Sequence, residues 1–369
     1  MLAATAPAGF DDTVVRDLCQ MLGARFERDP YGPQCLFDSG PAVVPADGFV
    51  APLTDLGLIE VTGQDALSFL QGQTTNDVAA LDADRAQWTG YCSPKGRLLG
   101  TMLAWTDGEA FRLLLARALA APIQKRLSMY VLRAKARLVD RSDEFVAFGL
   151  VGAAVRQLGV LGLAAPEPMG TRRADGLEVI GLEPVPAGAA PGIDAPLARA
   201  VLMAPSPRAG SVWSALTAGA VPASSPSWRW TEVLSGIPRV SEATRELFVP
   251  QMLNFELIGG VNFKKGCYPG QEVVARSHYL GKLKRRSFRG HIAHGDEPAP
   301  GADVYVSDSA EPTGQVVLAA ASPLGGVDLL FEAQTAAVQS AREGTRELRA
   351  TTPDGAPIAV APLPYTVPA

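Results

Sequence analysis

The stretch LGLIEVTGQDALSFLQ, residues 56–71, decides the fold. Leu56–Thr62 alternates with the period of a strand and Gly63 ends it. Residues 64–71 then place Leu67 and Leu70 three apart, the spacing of one helical face. Downstream, 97–105 and 110–116 are apolar runs separated by Thr106-Asp107-Gly108-Glu109, whose turn residues predict a hairpin. Pro122 suits the first turn of a helix that continues one face through Ile123, Leu127 and Tyr130. Residues 136–139 form a further short strand. The order β-α-β-β-α-β is the split unit of ferredoxin-like folds.

The pattern recurs further along. Residues 144–151 read as a strand, 153–158 as a helix, 177–182 and 200–204 as strands, and 211–216 as part of a helix. Residues 185–196, rich in Pro, Gly and Ala, form a loop. A helix over 227–234 ends at Gly236, and Pro238 bars its continuation. From about Arg286 the candidates are short strands (303–307, 315–319, 327–331, 346–350 and 358–361), the pattern of a small barrel or sandwich. Residues 1–46 carry one amphipathic helix, capped by Asp11 or Asp12, with Val14, Val15, Leu18 and Leu22 on one face. Pro- and Gly-containing loop follows at 30–33 and 41–45. The expectation is an α+β chain: an extension over 1–46, a ferredoxin-like unit over 47–142, a second α/β unit over 143–284, and an all-β unit over 285–369.

The chain has 369 residues, 47% of them hydrophobic, enough for more than one core. A net charge of −5 argues against general affinity for nucleic acid or membranes, leaving local patches open. Cys19, Cys35, Cys92 and Cys267 are scattered and are read as reduced thiols. With three histidines, His278, His291 and His294, they offer no metal-ligand spacing, so no stable metal site is expected. No basic start followed by an apolar run, and no apolar stretch of about 18 residues, is present. The expected location is the cytoplasm, away from membranes.

Chemistry concentrates in Lys265-Gly266-Cys267-Tyr268-Pro269-Gly270-Gln271-Glu272. Two glycines and a proline around a thiol are turn chemistry. Lys264 and Lys265, directly before it, favour a thiolate, so Cys267 is either a reactive thiol or a cysteine packed inside a tight loop. Between 264 and 289 the chain carries Lys264, Lys265, Arg276, Lys282, Lys284, Arg285, Arg286 and Arg289 against Glu272 alone. Such a run is a solvated face, or a surface for RNA, an anionic tail or an acidic partner.

The string K-G-C-Y-x-G-Q-E-x-x-x-R resembles the signature of the YgfZ folate-binding family, related in fold to the aminomethyltransferase (T-protein) of the glycine cleavage system. Other elements agree with that family: Gln71-Gly72-Gln73-Thr74-Thr75-Asn76-Asp77, Ser93-Pro94-Lys95-Gly96-Arg97, Gly236-Ile237-Pro238, Phe248-Val249-Pro250-Gln251, Lys284-Arg285-Arg286 and Pro362-Leu363-Pro364-Tyr365. The likeness runs from about Leu53 to the C-terminus.

The resemblance implies two ferredoxin-like units and a C-terminal β-barrel around a central tetrahydrofolate site. It implies a tryptophan sandwich, for which Trp228 falls at one expected position. Leu56 stands at the other, where it packs without stacking. Lys265, Gly266, Tyr268, Gln271, Glu272 and Arg276 are further candidate binding residues, with Arg276 suited to grip a folate carboxylate. Cys267 is the candidate functional thiol.

The implied role is a folate-binding accessory protein supporting iron–sulfur enzymes, including those of tRNA modification. Iron–sulfur enzymes or cluster-delivery proteins are the implied partners, and direct tRNA contact is left open. The T-protein's transfer carboxylate has no counterpart, because Gly100 and Thr101 occupy the matching positions. A folate-dependent aminomethyl transferase or demethylase, with Asp77 as substitute acid, is therefore the alternative. A non-enzymatic RNA or protein adaptor is the second.

Overall fold

A computed structural model describes residues 12–38, 48–279 and 283–368. In chain order the elements begin with α1 (Thr13–Met21), β1 (Arg25–Asp29), β2 (Gly32–Leu36), β3 (Gly48–Pro52), β4 (Leu56–Thr62), α2 (Ala66–Gln71), β5 (Ala86–Cys92), β6 (Leu98–Thr106), β7 (Ala110–Ala116), α3 (Arg117–Ser128) and β8 (Arg137–Asp140). They continue with β9 (Phe145–Gly152), β10 (Thr171–Ala174), β11 (Leu177–Val185), β12 (Leu197–Pro205), α4 (Ala209–Thr217), β13 (Val221–Pro222), α5 (Ser225–Leu234) and α6 (Gln271–Tyr279). The last part holds β14 (Arg285–Ile292), β15 (Asp303–Val306), β16 (Pro312–Ala321), β17 (Val327–Gln334), α7 (Thr335–Arg342), β18 (Leu348–Ala350) and β19 (Pro357–Ala361).

The first sheet has the order β5-β6-β7-β4-β8. Without the added edge strand β5, this is the ferredoxin-like arrangement expected from 56–139. The second sheet, β10-β11-β12-β9-β3-β13, repeats it with β3 in the outer position. β3 precedes the first sheet in sequence yet pairs with β9, so the chain visits the second sheet before it builds the first. The last six strands close a barrel, β14-β17-β16-β15-β18-β19.

The central strands of the two large sheets are buried on both faces. All nine residues of β6 are buried, which is why its sequence is a continuous apolar run rather than an alternation. One shared core joins the facing sheets, with Leu58, Leu103, Trp105 and Leu114 meeting Phe49, Val151, Ile180, Val201 and Met203. Trp105 Nε1 donates to Glu178 Oε2 across this interface at 2.5 Å.

Helix α5 sits where all units meet, and every residue in it except Pro226 is buried. Trp228 enters the inter-sheet core. The Arg229 guanidinium lies 2.8 Å from Asp29 of the β1–β2 hairpin and 3.2 Å from Glu297 of the barrel unit, stacked 4.0 Å above the Tyr31 ring. Arg229 Nε donates to the Ala319 carbonyl at 2.9 Å, and Trp230 Nε1 donates to Asp328 Oδ2 at 2.7 Å. A charged, amphiphilic helix is thus buried because each neighbour supplies a partner.

Several expectations change. The loop expected at 30–33 is the turn of the β1–β2 hairpin, while 41–45 and Asp11 lie outside the described residues. Val14 is exposed while Cys19 is buried with Val15 and Leu18, which turns the helix face by one position. Pro122 lies inside α3, which starts at Arg117, and Tyr130 lies beyond its end and is exposed. Residues 153–161 form a 3-10 helix. Helix α6 begins inside the turn expected at 265–272, and α7 interrupts the all-strand region expected after Arg286; both are short, and tertiary packing outweighs their weak periodicity.

The thiols at Cys19 and Cys35 are joined in a disulfide, with Cα atoms 5.3 Å apart. Packing α1 on the hairpin brings them together in a small cluster with Val15. Sequence spacing alone cannot show such proximity. A Cys19→Ser, Cys35→Ser variant should lose about 3 kcal/mol of stability relative to the oxidised protein, the loop-closure term for a bridge of this span. Urea unfolding with and without reductant checks this; identical midpoints for both wild-type states would contradict it.

Candidate functional site

A small, narrow cleft lies between the two sheets under α5. Leu56, Trp88, Thr101 and Leu103 line it from the first sheet, and Leu182 and Val201 from the second. Trp228 and Glu232 line it from α5, and Ile237, Pro238 and Arg239 from the segment that follows. Its walls are apolar, yet several buried polar atoms there lack hydrogen-bond partners: Trp88 Nε1, Trp228 Nε1, Glu232 Oε2 and Arg239 Nη1. Burial of unpaired polar atoms is costly, and their convergence makes this cleft a candidate ligand site.

The polar group is a buried charge cluster. Arg239 Nη2 lies 2.8 Å from Asp55 Oδ2 and 3.3 Å from Glu232 Oε2. Burial pushes the Glu232 carboxyl up from its ordinary range, against the pull of Arg239 and Arg199. Arg199 is also buried; desolvation lowers it to about 10. Its guanidinium lies 4.4 Å from the Trp228 ring centroid. Trp228 owes its seat to a glycine. Gly149 and Val201 are register partners on β9 and β12, and a Cβ at Gly149 would lie 2.3 Å from Trp228 Cε3.

The scattered sequence elements converge. Lys265 Nζ donates to the Thr74 and Asn76 carbonyls at 2.6 and 2.8 Å. A Cβ at Gly270 would lie 2.4 Å from the Ser93 carbonyl oxygen and 2.5 Å from Gly96 N, which fits the left-handed φ of +79° that glycine tolerates there. Gln251 Nε2 donates to the Val274 carbonyl at 2.6 Å, and Tyr365 OH donates to the Gly236 carbonyl at 2.8 Å. Asn76 Nδ2 also donates to the Trp88 carbonyl at 2.7 Å. One hydrogen-bonded path therefore runs from a cleft residue, through Asn76, to the loop that carries Cys267.

Trp228 and Leu56 line the cleft, while Lys265, Gly266, Cys267, Tyr268, Gln271, Glu272 and Arg276 are not among its lining residues. Cys267 and Gly266 are exposed, Lys265 and Tyr268 are buried, and Gln271, Glu272 and Arg276 belong to α6. Among the described residues Arg276 makes no ion pair, with Glu272 or otherwise. The basic run is not one solvated face. Arg286 and Arg289 are buried, Arg286 pairs with Glu256, and Arg285 pairs with Glu332 at 2.5 Å. Lys282 lies outside the described residues. Cys92 is buried and its thiol is pushed up to about 12 by desolvation, as suits a packing role.

Sequence reasoning missed Trp88, Asp55, Glu232, Arg239 and Arg199. Arg239 directly follows the Gly236-Ile237-Pro238 element and Glu232 lies one helical turn after Trp228, signals available in the sequence. Trp88 sits on β5, a strand without an apolar alternation to announce it. Among the described residues no group of three or more His, Cys, Asp or Glu is placed to hold a metal ion, and no helix is long and apolar enough to cross a membrane.

Two ferredoxin-like sheets and a closed barrel around an aromatic-walled cleft define the class as the glycine-cleavage T-protein fold. The aminomethyltransferase T of the glycine cleavage system from Bartonella henselae superposes with a TM-score of 0.74 over 96% of this chain and 97% of that one, at 15% identity. The chain is 32% identical over 322 residues to the tRNA-modifying protein YgfZ of Edwardsiella ictaluri (strain 93-146), covering 84% of this chain and 89% of that protein. It is 30% identical over 242 residues to the protein of that name from Vibrio vulnificus (strain YJ016), covering 65% and 69%. The chain belongs to the YgfZ family. No protein-family model matches it.

Two outcomes follow from this geometry. Gly149→Ala should displace Trp228, lower stability by about 1–3 kcal/mol as overpacking does, and shift the tryptophan emission; an unchanged midpoint and spectrum would contradict the seating. Lys265 is lowered by burial from 10.5 to about 8. Its folded-state value lies below its unfolded one, so the folded form gains stability as pH rises from 8 to 10.5 and loses it as pH falls back. Against Lys265→Met, which lacks this titration, the wild type should gain about 1–2 kcal/mol across that window, the full shift being reduced by solvent screening of the ammonium. Urea unfolding at pH 7.5 and pH 10.5 reads the difference, and a constant gap would refute it.

Proposed function

We propose that the cleft under α5 binds tetrahydrofolate and that the chain is a folate-binding accessory protein of tRNA modification, supporting iron–sulfur enzymes. The observation that carries this reading is the buried Glu232 carboxylate, ion-paired to Arg239 yet with no hydrogen bond to its Oε2, in a cleft bordered by Trp88 and Trp228. A pterin offers adjacent N–H donors and a carbonyl on its pyrimidine edge. A carboxylate accepts from the donors and a guanidinium donates to the carbonyl. Indoles give the bicyclic ring large apolar surfaces. Leu56 supplies packing where the family expects tryptophan, and Trp88 gives the cleft a second indole. Bound folate would supply a reduced pterin and a carrier for one-carbon units.

The relatives' printed name, tRNA-modifying protein, supports the pathway. Support for iron–sulfur enzymes rests on the family resemblance. Cys267 is the functional thiol of this reading, exposed and therefore open to a partner. A single thiol does not hold a cluster, so its ligation would be shared with a partner or a small thiol. An aminomethyl transferase is disfavoured on chemistry. Gly100 has no side chain, and Thr101 Oγ1 accepts from the Val240 N–H at 3.1 Å. Asp77 Oδ1 accepts from Gln71 Nε2 at 2.8 Å, and its side chain makes no capping hydrogen bond to the following turn.

Calorimetry with tetrahydrofolate tests the site. Wild type should bind, and Trp228→Ala and Glu232→Gln should each bind about tenfold or more weakly, a loss of about 1.4 kcal/mol. Unaltered affinity in both variants would move the ligand elsewhere, and no wild-type binding would remove the folate reading.

A further inference from the structure

Beside Cys267, on the face formed by α6 and the loop before it, the exposed rings of His278 and Tyr279, backed by the half-buried Phe263, lie with unpaired cations. The Phe263 and His278 rings stack with centroids 3.8 Å apart and planes 15° from parallel. Tyr279 stands edge-on to both, at 6.2 and 4.9 Å, and is 67% exposed. Lys264 follows Phe263 in the chain and is exposed. Arg276, also exposed, precedes Tyr279 by three residues, which puts the two on one helical face.

A third cation comes from the first sheet. The β5–β6 turn docks on α6, where a Cβ at Gly96 would lie 2.8 Å from Val273 and 3.1 Å from the Gly270 carbonyl oxygen. This brings the exposed Lys95 to the same surface. Among the described residues Lys95, Lys264 and Arg276 make no ion pair. Glu272 is the exposed carboxylate of α6.

An ordinary solvated face shows charged side chains without large exposed rings. Here rings and unpaired cations alternate in a chain whose net charge is −5. Phosphates suit such cations, and unpaired bases suit exposed π faces. Duplex RNA keeps its bases stacked and offers no face to a ring.

We propose that this surface binds a single-stranded RNA segment, with an unpaired base stacked at Tyr279 and the His278–Phe263 pair, and backbone phosphates on Lys95, Lys264 and Arg276. This deepens the proposed function by making RNA a direct partner. It rests on the tRNA half of that reading and is independent of the folate half. The Cys267 loop then lies alongside the bound strand.

The test is fluorescence anisotropy of the whole protein with a labelled RNA hairpin bearing a seven-nucleotide loop, and with a blunt RNA duplex of equal length. The hairpin should bind more tightly than the duplex. Tyr279→Ala should weaken it about tenfold, in the range of one lost base stack, while Tyr279→Phe keeps affinity. Lys264→Gln with Arg276→Gln should flatten the dependence of log affinity on log salt by about 1.4, two single-strand phosphate contacts. Absence of hairpin binding at low salt, equal binding of the duplex, or unchanged affinity in Tyr279→Ala would each overturn the proposal, and the first would leave this face to a protein partner. Tetrahydrofolate titration of wild type and Tyr279→Ala runs alongside. Loss of folate binding in wild type with RNA binding intact would sink the folate reading alone.

Discussion

The buried Arg229 guanidinium is the constraint on which the rest of the molecule depends. A cation that is 2% exposed is tolerable only when its charge is met, and here the partners come from different units. Asp29 belongs to the N-terminal hairpin, Glu297 and the Ala319 carbonyl to the barrel unit, and Tyr31 supplies the ring beneath. Tyr31 OH in turn accepts from Ala319 N–H at 2.7 Å. Satisfying one arginine therefore docks the hairpin, the barrel and α5 together. The orientation of α5 then points Trp228 and Glu232 into the cleft. The β1–β2 hairpin is thus part of the frame that holds the cleft.

The cleft and the thiol loop are separate places joined by one piece of structure. Strand β5 contributes Trp88 to the cleft, and the Trp88 carbonyl accepts from Asn76. Thr75 Oγ1 and Thr89 Oγ1 bind the same neighbourhood through Gly90 N–H and Asn76 N–H. Lys265 closes the path on the Thr74 and Asn76 carbonyls. The Gln-Gly-Gln-Thr-Thr-Asn-Asp element and the Lys-Gly-Cys element are therefore two halves of one hydrogen-bonded joint. A buried joint of this kind transmits position because unpaired members are expensive.

Much of the fold was legible because its signals are local. The turn residues between 105 and 110, the apolar runs of β6, β7 and β9, and the helix ending at Gly236 all announce themselves within a dozen residues. The outer strand β3 was not legible, since its place in the second sheet is decided by pairing with β9 about a hundred residues away. The Cys19–Cys35 bridge has the same character: two cysteines sixteen apart meet only after α1 folds onto the hairpin. At the site, Trp228 was legible only through the family resemblance, whereas Trp88 comes to the cleft by sheet register. The basic run around 285–289 misled because charge count ignores tertiary packing, and β14 is covered on both faces, which buries Arg286 and Arg289 alike.

The measurement that bears most directly on the account is hydrogen–deuterium exchange of the whole protein with and without a saturating reduced folate. The account predicts slowed exchange in the peptides covering Leu56, Trp88, Thr101 and 228–240, around the cleft. Protection confined to the Cys267 loop and α6, or none at all, would contradict a folate site under α5.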